Sequence, residues 1–350
     1  MSSSSVVGTK EGEGPLGEAF DMVGEDDMFH SENWEAAESA LQKKAMEIMM
    51  GKVNVAPGDI RYLFGGDLLG QSVATSFGLE SFEIPLVGLY GACSTCGLAL
   101  SLAAMTVAAG YSDLAAAVTS SHFASAEKQF RFPLEYANQR PLSTTWTVTG
   151  SGAFLLAGKE KTEELEGRVF PGKVVAEDDR EMESRKWTKQ YRVKITGVTT
   201  GRIIDYGVRD AMNMGAAMAP AAKDVIEAHL QDFGREPVYY DKIVTGDLGE
   251  IGRDILIDLL HGKGIDISEN HTDCGLEIFD NKKQGTGSGG SGCACSAVTL
   301  SARFLPLLAS GKLRRILFVP TGALLSKISF NEGQNVPGIA HAVVLEREED

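Results

Sequence analysis

The chain has 350 residues, 43% hydrophobic and 23% charged, which excludes pervasive disorder, a collagen repeat and a disulfide scaffold. Its net charge is −15, from 33 basic and 48 acidic residues, so a nucleic-acid binder is excluded. The acidic excess is uneven. Residues 1–60 carry 4 basic and 12 acidic side chains, whereas residues 81–158 carry 3 and 4, so an anionic ligand is not excluded there. Five cysteines, an odd number in a long chain, read as reduced thiols.

Met1 to Thr9 is polar and lacks the layout of a signal peptide. No strand is expected before Glu11. Trp34, Ala37, Leu41, Ala45 and Ile48 recur at helical spacing behind a cap at Ser31. A strand follows at Tyr62–Gly65, and Gly66-Asp67-Leu68 opens a second helix with Asp67 as its cap. Ile84 to Ser112 contains no charge, a length that meets the threshold for a membrane span. Gly88, Gly91, Ser94, Thr95, Gly97 and Ser101 interrupt it. A buried strand (84–90), a tight turn and a buried helix (93–109) are expected instead. Strands at 113–119 and 151–157 close the first half.

The second half replays this order from about Val193. A helix starts at Pro220 and ends at Gly234, and a strand runs into Gly246-Asp247-Leu248, where Asp247 reads as a cap. Gly287 to Cys295 opens a helix through Phe304, and strands follow at 315–320 and 340–345. Gly66-Asp67-Leu68 matches Gly246-Asp247-Leu248, Cys93 matches Cys293, and Leu100-Ser101 matches Leu300-Ser301. Matches in one order mark a duplication, hence an α/β protein of two stacked, pseudo-symmetric halves. We divide it into 1–158, a charged connector at 159–192 with nine basic and nine acidic residues, and 193–350.

Gly91-Ala92-Cys93-Ser94-Thr95-Cys96-Gly97 is the sharpest chemical feature. A cysteine at a strand-to-helix turn lies at the positive end of the helix, which favours thiolate, and amides there can cradle an oxyanion. That arrangement suits an acyl-transferring nucleophile, although the spacing alone favours small buried cysteines slightly more. Cys293-Ala-Cys295 stands at the equivalent turn. No histidine spacing completes a metal set, and no metal or cofactor is expected.

The segment Ala92-Cys93-Ser94-Thr95 and the duplication resemble the thiolase superfamily. Within it, the runs 119–122, 126–131, 214–222, 273–276, 289–297 and 321–325 resemble the stage V sporulation protein AD family of spore-forming bacteria. The resemblance implies a thiolase-like fold in α-β-α-β-α layers, a homodimer paired through the first half, and binding of dipicolinate, alone or as its calcium complex, for uptake into the spore. It also implies partner membrane proteins of the same transport system, through which attachment to the spore inner membrane would run. The condensing enzymes of the superfamily place histidines, or histidine and asparagine, after the strand ending here at Asp247 and in the glycine-rich turn 287–292. Neither position offers histidine, so condensing chemistry is expected to be lost. The rival readings are an active acyl-thioester condensing enzyme using Cys93 and a structural partner without a ligand.

For a planar dicarboxylate, Arg131 is the forked donor, unless it pairs with Glu127 on a solvated helix. His122 is a donor or a core histidine, and Gly290 permits close backbone approach. Cys93, Cys293, Asp247, His271 and His341 complete the candidate ligand set.

Overall fold

The computed structural model describes residues 2–130, 140–166 and 192–349. The first strand, β1 (Ser2–Val7), is followed by a one-turn helix α1 (Thr9–Gly12) and a short β2 (Met22–Val23). Helix α2 (Trp34–Val53) leads to β3 (Tyr62–Gly66), α3 (Val73–Leu79), β4 (Leu86–Gly88), α4 (Thr95–Ala108) and β5 (Leu114–Ser121). The half ends with α5 (Phe123–Phe130), β6 (Trp146–Thr147), β7 (Gly150–Ala157) and α6 (Lys159–Glu166). Then come β8 (Val193–Thr200), α7 (Met214–Phe233), β9 (Lys242–Thr245), α8 (Gly249–His261), β10 (His271–Asp273), α9 (Cys274–Glu277) and α10 (Asn281–Gln284). The last elements are β11 (Gly290–Ser291), α11 (Cys293–Thr299), α12 (Leu305–Ala309), β12 (Arg315–Val319), β13 (Thr321–Ala323), α13 (Lys327–Asn331) and β14 (Gly338–Arg347).

Two sheets organise these elements. The first has the order β2-β1-β7-β5-β3-β4. In it β5 runs antiparallel to β7, from Leu114 opposite Ala157 to Ser121 opposite Gly150, and parallel to β3. The second has the order β10-β9-β12-β14-β13, with β8 also paired to β14. Helices α4 and α11 lie between the sheets, where Ala99, Leu100, Ala297 and Val298 pack with Phe64, Phe154, Phe318 and Val343. Leu41, Met46 and Met49 of α2 cover the outer face of the first sheet; Val225 and Ile226 of α7 and Leu256 of α8 cover that of the second. The result is five layers, α-β-α-β-α. Each fully buried Leu or Met side chain contributes about 2–3 kcal/mol of transfer free energy. Small residues set the layer spacing: a Cβ on Gly152 would come within 2.7 Å of Ala297 Cβ, so α11 rests directly on β7.

The halves match in detail over their first helix. Helices α2 and α7 are each 20 residues, capped by Asn33 on the Ala36 amide and by Asn213 on the Ala216 amide. Each ends on a left-handed residue, Asn54 and Gly234. Two expectations change here. The α2 cap is Asn33 rather than Ser31. Helix α7 starts at Met214, six residues before Pro220, because the asparagine cap sets its start and the proline is carried inside the helix.

Three further expectations are corrected. A strand does precede Glu11: Ser2–Val7 pairs along its whole length with β7, its last four residues buried. Four serines hide it from hydropathy, yet their small side chains suit a tightly covered strand, and Ser4 Oγ donates to the Ala45 carbonyl of α2. The strand before Cys93 is not buried but forms the sheet edge, with Leu86 and Val87 exposed. The helix after Cys293 does not run uniformly to Phe304; it passes through a π-turn at Leu300–Phe304. Among the described residues no helix is long and apolar enough to cross a membrane.

Candidate functional site

The helix starts of α4 and α11 meet at the centre of the molecule. Cys93 immediately precedes α4, on a turn where Ala92 takes φ 49° and Ser94 Oγ donates to the Gly91 carbonyl. A left-handed conformation in a non-glycine residue costs about 1 kcal/mol, and the surrounding contacts hold it in place. Thr95 contributes by accepting from the Gly91 amide and donating to the Ala92 carbonyl. On the other side Cys293 opens α11, and its thiol donates to the Ala92 carbonyl at 3.0 Å. Burial pushes the Cys293 thiol well above its ordinary pKa. Gly322 closes the turn from β13; a Cβ there would lie 2.3 Å from the Gly91 carbonyl oxygen. Leu68, Ala92, Cys93, Ala126 and Cys293 share one apolar cluster, against which Phe130 and Leu324 pack. All five cysteines are buried thiols without a disulfide.

Two aspartates flank this centre in equivalent places. Asp67, after β3, accepts from the Leu69 and Thr75 amides and from Thr75 Oγ1. Burial raises its carboxyl and these donors pull it down. Behind it, Gln42 Nε2 donates to Thr75 Oγ1 and Ser120 Oγ, while Glu38 accepts from Ser120 and Ser125. Burial first, and the Asp67 charge second, push Glu38 up to about 8. Asp247, after β9, is also fully buried, but neither of its carboxyl oxygens has a hydrogen-bond partner. Burial, with Asp273 next in importance, raises its pKa well above the carboxylate range. The Gly292 and Thr321 amides approach it and oppose that shift without completing a bond of normal geometry.

Asp247 is therefore not the cap its position suggests. Asp273 performs that task, accepting from the Leu248, Gly249 and Gly275 amides and from Thr245 Oγ1. Since the Thr245 hydroxyl hydrogen goes to Asp273, His271 Nε2–H donates to Thr245 Oγ1 at 2.9 Å. His271 is a neutral histidine, held down to about 3 by burial, and its Nδ1 has no partner.

The remaining candidates are spread out. His122 uses both ring nitrogens: Nδ1 accepts from the Ala124 amide, so Nε2 donates to the Asp27 carbonyl. His341 lies on β14, where Nδ1 accepts from the Gly201 amide at 3.3 Å and burial lowers its pKa to about 4. Gly290 pairs with Trp146 in the two-stranded β6–β11 ribbon, with Cys295 Sγ 3.3 Å from where its Cβ would be. Arg131 lies outside the described residues; Glu127, its proposed neighbour, pairs with Arg140 at 2.8 Å. The structure thus brings Cys93 and Cys293 together, with Asp247 on the inner side. Among the described residues no three His, Cys, Asp or Glu side chains are arranged to hold a metal.

Sequence reasoning missed Glu38, Gln42, Ser296 and Thr321. Glu38 and Gln42 left a signal, because they stand on the inward stripe of α2 beside Leu41 and Ala45, where a charged residue needs a buried partner. Ser296 and Thr321 left none, since their proximity to Asp247 exists only in the fold.

Comparison with known proteins gives two results. The sequence profile of the family described as "Stage V sporulation protein AD (SpoVAD)" matches residues 1–346. Stage V sporulation protein AD of Bacillus subtilis (strain 168) is 38% identical over 346 residues, covering 99% of this chain and 93% of the relative. Among solved structures, OleA of Xanthomonas campestris superimposes with a TM-score of 0.54 at 15% identity, over 88% of this chain and 80% of that one. A tetronic acid condensing enzyme gives 0.52 at 14%, over 88% and 85%. The 3-oxoacyl-[acyl-carrier-protein] synthase III of Aquifex aeolicus VF5 gives 0.50 at 11%, over 99% and 98%. These likenesses establish the thiolase-like fold.

Proposed function

The chain belongs to the stage V sporulation protein AD family, and on that premise we propose that it binds dipicolinate for uptake into the developing spore, on a condensing-enzyme fold that no longer condenses. The observation that carries this reading is the surroundings of Cys93. Its cluster neighbours are Leu68, Ala92, Ala126 and Cys293, an apolar and thiol bed suited to a flat aromatic ring. Claisen chemistry needs a general base. His122 and His271 are hydrogen-bonded to Asp27, Ala124 and Thr245, and burial lowers the pKa of His122, His271 and His341 alike. The place of a catalytic group holds Asp247, whose burial favours the uncharged acid. The ligand ring lies over Cys93 and Cys293, with Gly290 backing the second turn; His122, Arg131, His271 and His341 are the outlying candidates.

The same reading includes a homodimer. Among the described residues strand β4 is an unpaired edge of the first sheet, with Leu86, Val87 and Tyr90 exposed there. Phe77 of α3 and Met105 of α4 are exposed in the helical layers as well. An open edge with apolar side chains is the surface for a second copy, paired about a two-fold axis. Attachment to the spore inner membrane runs through other proteins of the transport system.

Isothermal titration with dipicolinate, with and without calcium, tests the ligand, and isophthalate, which lacks the ring nitrogen, is the control. Heat with dipicolinate and little with isophthalate supports the reading; no heat with either removes it. Intact mass after incubation with acyl-CoA tests the lost chemistry, since an acyl adduct on Cys93 would restore the condensing-enzyme reading. Sedimentation velocity of Val87→Glu against the native chain tests the dimer, with a shift to monomer expected.

A further inference from the structure

Three buried polar side chains with unsatisfied oxygens lie around Gly246. Neither oxygen of Asp247 completes a hydrogen bond of normal geometry, nor do Ser296 Oγ, which the Cys96 thiol approaches, and Thr321 Oγ1. Asp247 and Ser296 are 0% exposed, as is Thr321. They come from three elements, the end of β9, the first turn of α11 and the start of β13. Gly246 fixes their proximity: a Cβ on it would lie 3.1 Å from Ser296 Cβ and 3.4 Å from the Thr321 nitrogen. The Gly292 and Thr321 amides also approach the Asp247 carboxyl. Buried polar groups in native proteins are almost always satisfied, so three unsatisfied at one place point to something they receive.

Their chemistry specifies what that is. Two hydroxyls and two amides can all donate. The titratable groups facing Asp247 are Asp273 on β10, Cys96 on α4, Cys274 on α9 and Cys293 and Cys295 on α11, and none is cationic. A second bare carboxylate could not enter beside an ionised Asp247, but it could beside the neutral acid, which becomes one more donor. The location is also right. The Cys96 thiol, in the first turn of α4, reaches Ser296 and Thr119, and Cys293 stands close enough to both Cys93 and Asp247 for each to raise its thiol.

We propose that Asp247, Ser296 and Thr321 form an inner subsite for one ligand carboxylate, with Asp247 acting as a protonated acid that donates to it, so that anion and proton are held together. This rests on the dipicolinate reading and assigns its inner carboxylate. The proton stays on Asp247 in a hydrogen bond to the ligand oxygen, and no covalent bond changes. Burial of Asp247 already favours the protonated form, so the proton is in place before the ligand arrives.

Titration of the full-length protein with dipicolinate from about pH 6 to about pH 9, where the ligand stays a dianion, tests this. Expected affinity is flat at the acid end and falls on the alkaline side with a limiting slope of about tenfold per pH unit, as the acid must be reprotonated. Titrations in two buffers of different ionisation heat should show net proton uptake over the falling limb. Asp247→Asn keeps a donor that cannot ionise, so its alkaline fall should vanish. Asp247→Ala should weaken binding about tenfold or more across the range, and Thr321→Val several-fold. Thermal melts and near-ultraviolet circular dichroism establish that each variant is folded, and isosteric Asp247→Asn keeps the test valid if the alanine variant is not. An unchanged alkaline fall in Asp247→Asn, or native affinity in folded Asp247→Ala, would overturn the proposal while leaving dipicolinate binding intact. Absence of binding by the native chain at every pH would remove the dipicolinate reading and this inference with it.

Discussion

Asp67 and Asp247 occupy equivalent places in the two halves, after β3 and after β9, within the same Gly-Asp-Leu triplet. Both are fully buried, yet the first accepts three hydrogen bonds and the second none. Thr75 supplies two of the donors to Asp67; in the second half Asp273 caps the following helix and leaves Asp247 idle. The same triplet serves as a structural clasp in one half and as an uncommitted acid in the other. In a duplicated fold, the place where the symmetry fails is where a new role can arise without loss of the framework.

The sharpest way to break this contrast is to remove both carboxyls. Asp67→Ala orphans the Leu69 amide and both Thr75 donors, an expected loss of about 3 kcal/mol or more by urea unfolding. Asp247→Ala deletes no hydrogen bond, so its loss should be well below that; equal losses would mean that Asp247 has a structural partner.

A pH series sharpens it. Burial raises Glu11, in the first half, from 4.5 to about 8. A raised carboxyl stabilises fully below its unfolded pKa, and that stability is lost as pH rises through the folded value, here between about 4.5 and about 8. Glu11→Gln should be more stable than the native chain at pH 9 by an amount on the order of 4 kcal/mol, and the gap should close near pH 4. Asp247 shifts in the same direction, so Asp247→Asn should likewise gain stability toward alkaline pH; a gain at acid pH instead would reverse our assignment of the neutral form.

Gly322→Ala tests how tightly the second half supports the Cys93 turn. The added Cβ meets the Gly91 carbonyl, so unfolding should cost about 1–3 kcal/mol less and alkylation of Cys93 should change rate. The smallest effects belong to the matched caps. Asn33→Ala and Asn213→Ala should each lower stability by about 1 kcal/mol, equally if the halves are equivalent there.

The sequence by itself determined the duplication, the alternation of strands and helices and the Cys93 turn, because periodicity and turn residues are local properties. Its family resemblance was legible for the same reason, in long unusual runs such as 289–297. It misread β1 because tight packing selects serine there and hydropathy is blind to that fit. It misread β4 because the strand's position at the sheet edge depends on which strands pair, not on its own residues. Tertiary structure alone decided which buried acids are satisfied. Asp273 displaces Asp247 from its capping role across 26 residues of chain, and Ser296 and Thr321 reach Asp247 only once α11 and β13 are in place. Burial and hydrogen bonding are sums over neighbours distant in sequence, so the chemistry of the centre emerges only when the two halves are stacked.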